Sequence, residues 1–446
     1  MIAVADCAIA YRANSVTGSI SLSKICRWKF TSPLMVWALS TLLLTSSLGH
    51  CGLQSEGFAQ DNWTRFRGEN GSGISQEKGW RATWKPDEFA WKITLPGNGH
   101  SSPVTWDDGV FVTCSTESGS ERYVIRYNAV DGSETWRYTV SMGSTALHKK
   151  NSYSSMSPTT DGKHVYATFA DDAQQILLAI DMQGKEVWRV KFGPFDSQHG
   201  PGTGPIVHQD LVILARDIRG PSEIIALNRD TGDIIWKTER QFKVASYATP
   251  LIYSQDNQPD QIIVLRDVTG ITGLNSATGN VIWNTGDLGF RTVASPVLAQ
   301  NKIVCLCGQG GSGTRMLVVE PGNLLHKDFK LVYEKTKDLP YVVTPLIVGN
   351  HMFLWADKGV VYCLDFTTGE QIWKHRITGN FSGSPVYVDG KMYCINEAGD
   401  LVVMAATDKA EPLGSTPLEE YSQATPAVAN GRMFLRTQSH LICVTK

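Results

Sequence analysis

The sequence predicts an all-β protein folded as an eight-bladed β-propeller, closed by an N-terminal strand that completes the last blade, and three observations carry that prediction. A Ser/Thr/Gly-Pro pair recurs eight times, at Pro103, Pro158, Pro205, Pro250, Pro296, Pro345, Pro385 and Pro426. Five units carry a turn followed by a strand that ends in Trp, while a lone Trp strand precedes the first unit and the last unit has none. Composition agrees: 41 Gly, 13 Trp and frequent Val-Ile-Thr runs suit many short strands joined by turns.

The proline pairs are spaced by 40 to 55 residues, the length of one four-stranded blade. Most precede a β-rich run and a tight turn such as Asp107-Asp108-Gly109 or Asp389-Gly390.

The second signature reads Asn228-Arg-Asp-Thr-Gly-Asp-Ile-Ile-Trp236, Asn275-Ser-Ala-Thr-Gly-Asn-Val-Ile-Trp283 and Asp365-Phe-Thr-Thr-Gly-Glu-Gln-Ile-Trp373, with variants ending at Trp136 and Trp188. The Asn or Asp side chain caps the turn, Gly takes the positive-φ position, and a strand follows. Its Trp then lies on a sheet face, where a large flat ring fills the wedge between blades. Trp91, Trp136, Trp188, Trp236, Trp283 and Trp373 are therefore structural repeat residues; Tyr333 takes that place in the fifth unit and Leu413 lies near it in the seventh.

The unit from Thr425 onward lacks a Trp strand, and Trp91-Lys-Ile-Thr lacks a blade before it. Joining the two gives one composite blade and removes the free edges of an open array. A solenoid would instead want capping repeats at its ends.

Ahead of the repeats, Lys24, Arg27 and Lys29 precede an apolar run from Leu34 to Leu48, and Gly57 and Ala59 offer small residues before Gln60. That reads as a signal peptide over residues 1–59, then a lead-in over 60–84 and the propeller over 85–446. The run is shorter than the roughly 20 residues that span hydrocarbon. Export to the periplasm or cell envelope follows. A lipoprotein signal ending at Cys51 is the lesser reading, because His50 stands where a small residue is wanted.

Lys plus Arg number 41 against 43 Asp plus Glu, without blocks of like charge, which argues against a nucleic-acid partner. Of nine cysteines, Cys114, Cys305, Cys307, Cys363, Cys394 and Cys443 follow the targeting region. Cys363 and Cys443 lie two 40-residue repeats apart, with Val403 midway and Ala226 at the matching earlier position, so they read as small core residues. Cys305 and Cys307, two apart in one strand, are poorly placed to bridge each other.

The repeat resembles the tryptophan-docking motif of pyrroloquinoline-quinone-like (PQQ-like, BamB-like) propellers. That group includes quinoprotein alcohol dehydrogenases and the BamB lipoprotein of the outer-membrane β-barrel assembly machine. The resemblance covers about residues 85–446. The lead-in Trp63-Thr-Arg-Phe-Arg-Gly-Glu-Asn-Gly-Ser-Gly73 is similar to that of exported propellers of this type common in planctomycetes.

The resemblance implies two functions: a scaffold binding a protein or extracellular polymer, BamB-like outer-membrane assembly being its most concrete form, or a PQQ-dependent alcohol or sugar dehydrogenase. The dehydrogenases need a quinone stacked on Trp, usually a ring of adjacent cysteines, and Ca²⁺. This chain has no adjacent Cys pair and lacks the long covering insertions. The scaffold reading leads, as a monomer with a protein or polymer partner, a membrane-associated assembly partner included. No cofactor is expected; PQQ with calcium belongs to the alternative alone.

No catalytic or metal residue is assigned. Gly308-Gln-Gly-Gly-Ser-Gly313 matches a dinucleotide loop only formally, since a strand follows it and not a helix. The histidines show no zinc spacing, and no nucleophile elbow is present. Asp171 and Asp172 read as solvated turn residues. Two segments break the repeat: residues 142–153 and 195–200.

Connections from the outer strand of one blade to the inner strand of the next emerge on one face, around the channel mouth. Residues just before each proline pair should converge there: His100, Tyr153, His199, Tyr247, Arg291, Tyr341, Phe381 and Tyr421. Aromatic groups with a polar end, plus an Arg, are the residue types of binding hot spots, and this rim is the candidate ligand or partner site.

Overall fold

Each proline pair is followed at once by the innermost strand of a sheet. The computed structural model describes residues 62–446 apart from 242 and 310–312, so the targeting segment and Cys51 lie outside the described residues. Among the described residues there are eight sheets, each built in the same order from the channel outward. Blade one is typical: Val104–Trp106, Gly109–Ser115, Glu121–Asn128 and Glu134–Ser141, all antiparallel. Its second strand is buried at every residue, because both of its faces pack on neighbouring blades.

Blade eight is composite. Ala427–Ala429, Arg432–Arg436 and His440–Thr445 supply three strands, and Trp91–Thr94 pairs antiparallel with the last, Trp91 opposite Cys443. The ring is thereby closed by hydrogen bonds between the two ends of the repeat array.

A β-bulge next to the repeat Trp recurs in the outer strand pair, for example at Arg126/Tyr127, Ala226/Leu227 and Cys363/Leu364. Bulges re-aim a side chain. Here they send the indole to the next blade, where Trp136, Trp188, Trp236 and Trp373 donate Nε1–H to the carbonyls of Met182, Arg229, Ser276 and Thr407, as Trp91 does to Ala129 from a strand in straight register. The rings of Trp91, Trp136, Trp188 and Trp236 each lie on the turn glycine of that blade: a Cβ on Gly232 (φ +77°) would sit 2.8 Å from the Trp188 ring. The degenerate fifth blade keeps the contact through Tyr333, whose hydroxyl donates to Phe366 at 2.9 Å.

The residue paired with most docking positions is small, as Ala179, Ala226, Gly273, Cys363, Val403 and Cys443 are, whereas Trp136 stands opposite Arg126. This explains Cys363 and Cys443. All six in the described residues are free and buried, and burial raises the thiols, Cys363 and Cys443 to about 12. In blade seven the register puts Gly414, beside Leu413, at the Trp position. The lead-in fills that gap: Thr83 lies against Gly414, and Trp84 donates Nε1–H to Thr445 at 2.8 Å while packing on Tyr393.

One expectation is corrected. Asp171 is 4% exposed, accepting from the backbone N–H of Ala173, Gln174 and Gly143, because an inward turn there needs a carboxylate to satisfy its orphan donors. Gly308 and Thr314 pair across a hairpin, as the strand after that glycine run requires. Among the described residues no helix is long and apolar enough to cross a membrane.

Candidate functional site

The residue before each of the eight repeat prolines lines one cavity at the propeller axis: Ser102, Ser157, Gly204, Thr249, Ser295, Thr344, Ser384 and Thr425. Their hydroxyls stitch the blades together. The N–H of Ser102 donates to Ser157 Oγ, Thr249 to Ser295, Ser295 to Thr344, Thr344 to Ser384, Ser384 to Thr425, and Thr425 to Ser102, at 2.8–3.1 Å. Gly204 interrupts the ring, and it has to: a Cβ there would meet the Ser157 carbonyl oxygen at 2.3 Å.

The lead-in crosses the other end of the channel. Trp63 exchanges bonds with Thr105 of blade one, and Thr64 accepts from Thr160 of blade two. Arg65 reaches the Pro250 carbonyl and Asn70 bonds Ile252 in both directions in blade four. Arg67, fully buried, donates to Pro345 at 2.9 Å and Pro385 at 2.8 Å, in blades six and seven. Ile74–Ser75 then adds a parallel strand to the inner edge of blade seven. Phe66, between the two arginines, lines the cavity. The channel is thus blind at this end.

The repeat-breaking segments meet at the open end. His148 N–H donates to the His199 carbonyl, Asn151 Nδ2 donates to His199 and Pro201 carbonyls, and the two imidazoles lie edge to face at 5.0 Å. Lys150 from the first segment reaches Glu397 of blade seven at 2.5 Å, across the mouth.

The cavity so enclosed has a volume of about 530 Å³, within the range of small-molecule sites. Six of the eight residues expected at the mouth line it: His100, His199, Tyr247, Arg291, Tyr341 and Phe381. Tyr153 lies outside the lining and stacks on Arg122 at 4.3 Å, against Gly119. Tyr421 also stands off, edge-on to His100 at 6.0 Å. Lining residues that the spacing argument missed are Phe66, His148, Lys150, Asn151 and Asp357. Three of them sit in the segment 142–153 already marked by its departure from the repeat; Phe66 and Asp357 left no such signal.

Arg291 dominates the electrostatics. Its guanidinium donates to His199 Nε2 at 2.7 Å and to Gln198 Oε1, and among the described residues no carboxylate stands at ion-pair distance from it. Its Nε is buried and has no partner among the described residues. His199, stacked on Tyr247 at 6.2 Å, is held below the usual imidazole range by burial, then by Arg291 and His148. His100 is pushed down to about 4, by burial first and Arg436 second, and its Nδ1 is orphaned. Asp357 is the carboxylate of the lining; burial raises it, and its oxygens accept the N–H groups of Tyr341 and Val342 at 3.0 Å.

These residues do not fit a calcium-bound quinone. Each oxygen of the lining carboxylate already accepts a backbone N–H, none of the described cysteines lines the cavity, and no cluster of three or more His, Cys, Asp or Glu among the described residues is placed to hold a metal.

Compared with known proteins, residues 75–181, 173–328, 342–411 and 357–445 match the family described as outer membrane protein assembly factor BamB. The BamB of Yersinia pestis is 21% identical over 297 residues, covering 63% of this chain and 70% of that one. In structure the chain is similar to BamB from Moraxella catarrhalis (TM-score 0.59, 14% identity, 80% and 96% of the two chains). It is likewise similar to quinohemoprotein alcohol dehydrogenase from Comamonas testosteroni (TM-score 0.59, 11% identity, 86% and 80%). At such identities these likenesses speak to the fold.

Proposed function

Because this chain belongs to the family described as outer membrane protein assembly factor BamB, we propose that it is an exported scaffold that holds a protein partner at the open mouth of its channel. The observation that supports this reading is the joining of the two repeat-breaking segments, through His148, Asn151 and His199, over a rim of aromatic and cationic side chains. Segments absent from most blades and bonded to each other form a fixed surface, and rigid aromatic and Arg groups on such a surface are the anchors of protein interfaces. The lead-in on the opposite end leaves this mouth as the approach to the cavity.

The mature chain, starting near Gln60, is expected to capture a partner from native envelope extract, and a variant shortened within residues 146–150 to lose it while unfolding at the same temperature. Capture unchanged by the shortening would place the interface elsewhere. Dye-linked alcohol oxidation on adding the quinone with calcium would favour the dehydrogenase reading and overturn this one. Intact mass of the exported form checks export itself: residues 1–50 retained would refute it, and an acylated Cys51 would make the protein a lipoprotein.

A further inference from the structure

Going round the cavity, the rim is not uniform. The connections entering blades two to five bring His148, His199, Tyr247 and Arg291, and those entering blades six and seven bring Tyr341 and Phe381, the last buried against Trp355. Arg291 therefore enters the rim between the connections that bring Tyr247 and Tyr341, with Phe66 of the lead-in lining the same space.

The charge count favours a single negative charge. Arg291 has no carboxylate at ion-pair distance among the described residues, whereas Lys150 is already committed to Glu397. His199 offers a neutral ring, since its Nε2 accepts from Arg291. Asp357 contributes a carboxylate to the same lining, which works against a dianion such as a phosphate monoester. A planar carboxylate matches the guanidinium fork, and a half-buried cation without a counter-charge is the group that gains most from acquiring one.

The blind end sets the second requirement. An extended chain cannot pass through a channel whose other end is crossed by the lead-in from blade one to blade seven. Whatever enters must end inside.

We infer that the pocket binds a carboxylate borne next to an aromatic or bulky apolar group, as a free acid or as the carboxyl end of a polypeptide. The carboxylate lies against Arg291 and the apolar group against Tyr341 and Phe66. This rests on the scaffold reading for its biological meaning, but its test does not.

Titration calorimetry on the mature chain decides it with four probes: 3-phenylpropionate, its amide, a hexapeptide ending in free Phe, and the same peptide amidated. Each acid is expected to bind about tenfold or more tightly than its amide, the loss expected when a charge-assisted bidentate pair is removed. Tighter binding of the peptide acid than of 3-phenylpropionate identifies a chain end as the ligand; the reverse identifies a small acid. Arg291→Met is expected to erase the preference for the acids. Equal binding of acid and amide, no binding of either acid at millimolar concentration, or an Arg291→Met protein that keeps the preference overturns the inference. The comparison of acid with amide needs no variant, so it stands even where Arg291→Met fails to fold. Envelope capture that persists while no acid binds would sink the pocket inference and leave the scaffold reading intact.

Discussion

Gln261 stands between Trp283 and the next blade: its amide oxygen accepts the indole Nε1–H at 2.7 Å, and its amide nitrogen donates to the Gly322 carbonyl at 2.9 Å. Blade five has no Asn/Asp-x-x-Thr-Gly turn to receive the indole directly, so a side chain from Trp283's own blade spans the gap. Gly273 beneath it is obligatory, because a Cβ there would lie 2.3 Å from the indole nitrogen and 2.4 Å from Gln261 Oε1. Gln261→Leu is therefore expected to orphan a buried N–H and a buried carbonyl and to cost about 2–4 kcal/mol in urea unfolding. A cost under about 0.5 kcal/mol would show that the bridge carries nothing.

The hydroxyl ring invites an obvious repair, and the geometry says the repair fails. Gly204→Ser or Gly204→Ala puts a Cβ at 2.3 Å from the Ser157 carbonyl oxygen, where backbone cannot yield cheaply. A loss of about 2 kcal/mol or more is expected. Gly193→Ala, with nothing within 4 Å of the new carbon, serves as the near-neutral control. Stabilisation by Gly204→Ser would contradict the ring geometry.

His100 makes stability depend on pH in a defined window. Its folded value is about 4 against an ordinary 6.5, so the unfolded chain binds the extra proton. The contribution is present above pH 6.5 and is lost as pH falls through about 4. His100→Gln should flatten the stability profile between those limits by up to about 3 kcal/mol. Parallel profiles for the two proteins across that window would show that burial of His100 has been overstated.

Tyr153 and Tyr247 precede proline pairs alike but should respond differently to truncation. Tyr153→Ala removes a ring stacked on Arg122 at 4.3 Å and is expected to lower stability by about 1–2 kcal/mol with 3-phenylpropionate binding unchanged. Tyr247→Ala removes a lining ring that stacks on His199, and is expected to weaken that binding at least several-fold. Binding lost with Tyr153→Ala and kept with Tyr247→Ala would put the site on the wrong side of the rim.

The propeller was legible because it repeats: eight proline pairs, the Trp strands and the complementary ends are each visible by comparing the chain with itself. The site was legible in part for the same reason. An offset of three to six residues before each proline found Arg291, Tyr341 and Phe381, yet the same offset gave Tyr153, whose longer connection turns its ring away toward Arg122. Phe66 and Asp357 escaped because neither belongs to that offset: one arrives from a lead-in with no repeat to compare, the other from a hairpin of blade six. The role of Trp84 was hidden similarly, since nothing in sequence ties it to a gap at Gly414.

The lead-in also governs when the molecule is finished. Arg65 and Arg67 precede the repeats, but their carbonyl partners follow 185, 278 and 318 positions later. Contacts of such sequence separation are the slowest to form, because the whole intervening loop must be ordered before they reward it. A nascent chain with only its first four blades therefore lacks the Pro345 and Pro385 carbonyls that Arg67 donates to, and has only the lead-in's own Gly71 and Ser72 carbonyls to offer it, beside an unpaired Trp91 strand. Burial of Arg67 against Pro345 and Pro385 is thus possible only once blades six and seven are in place.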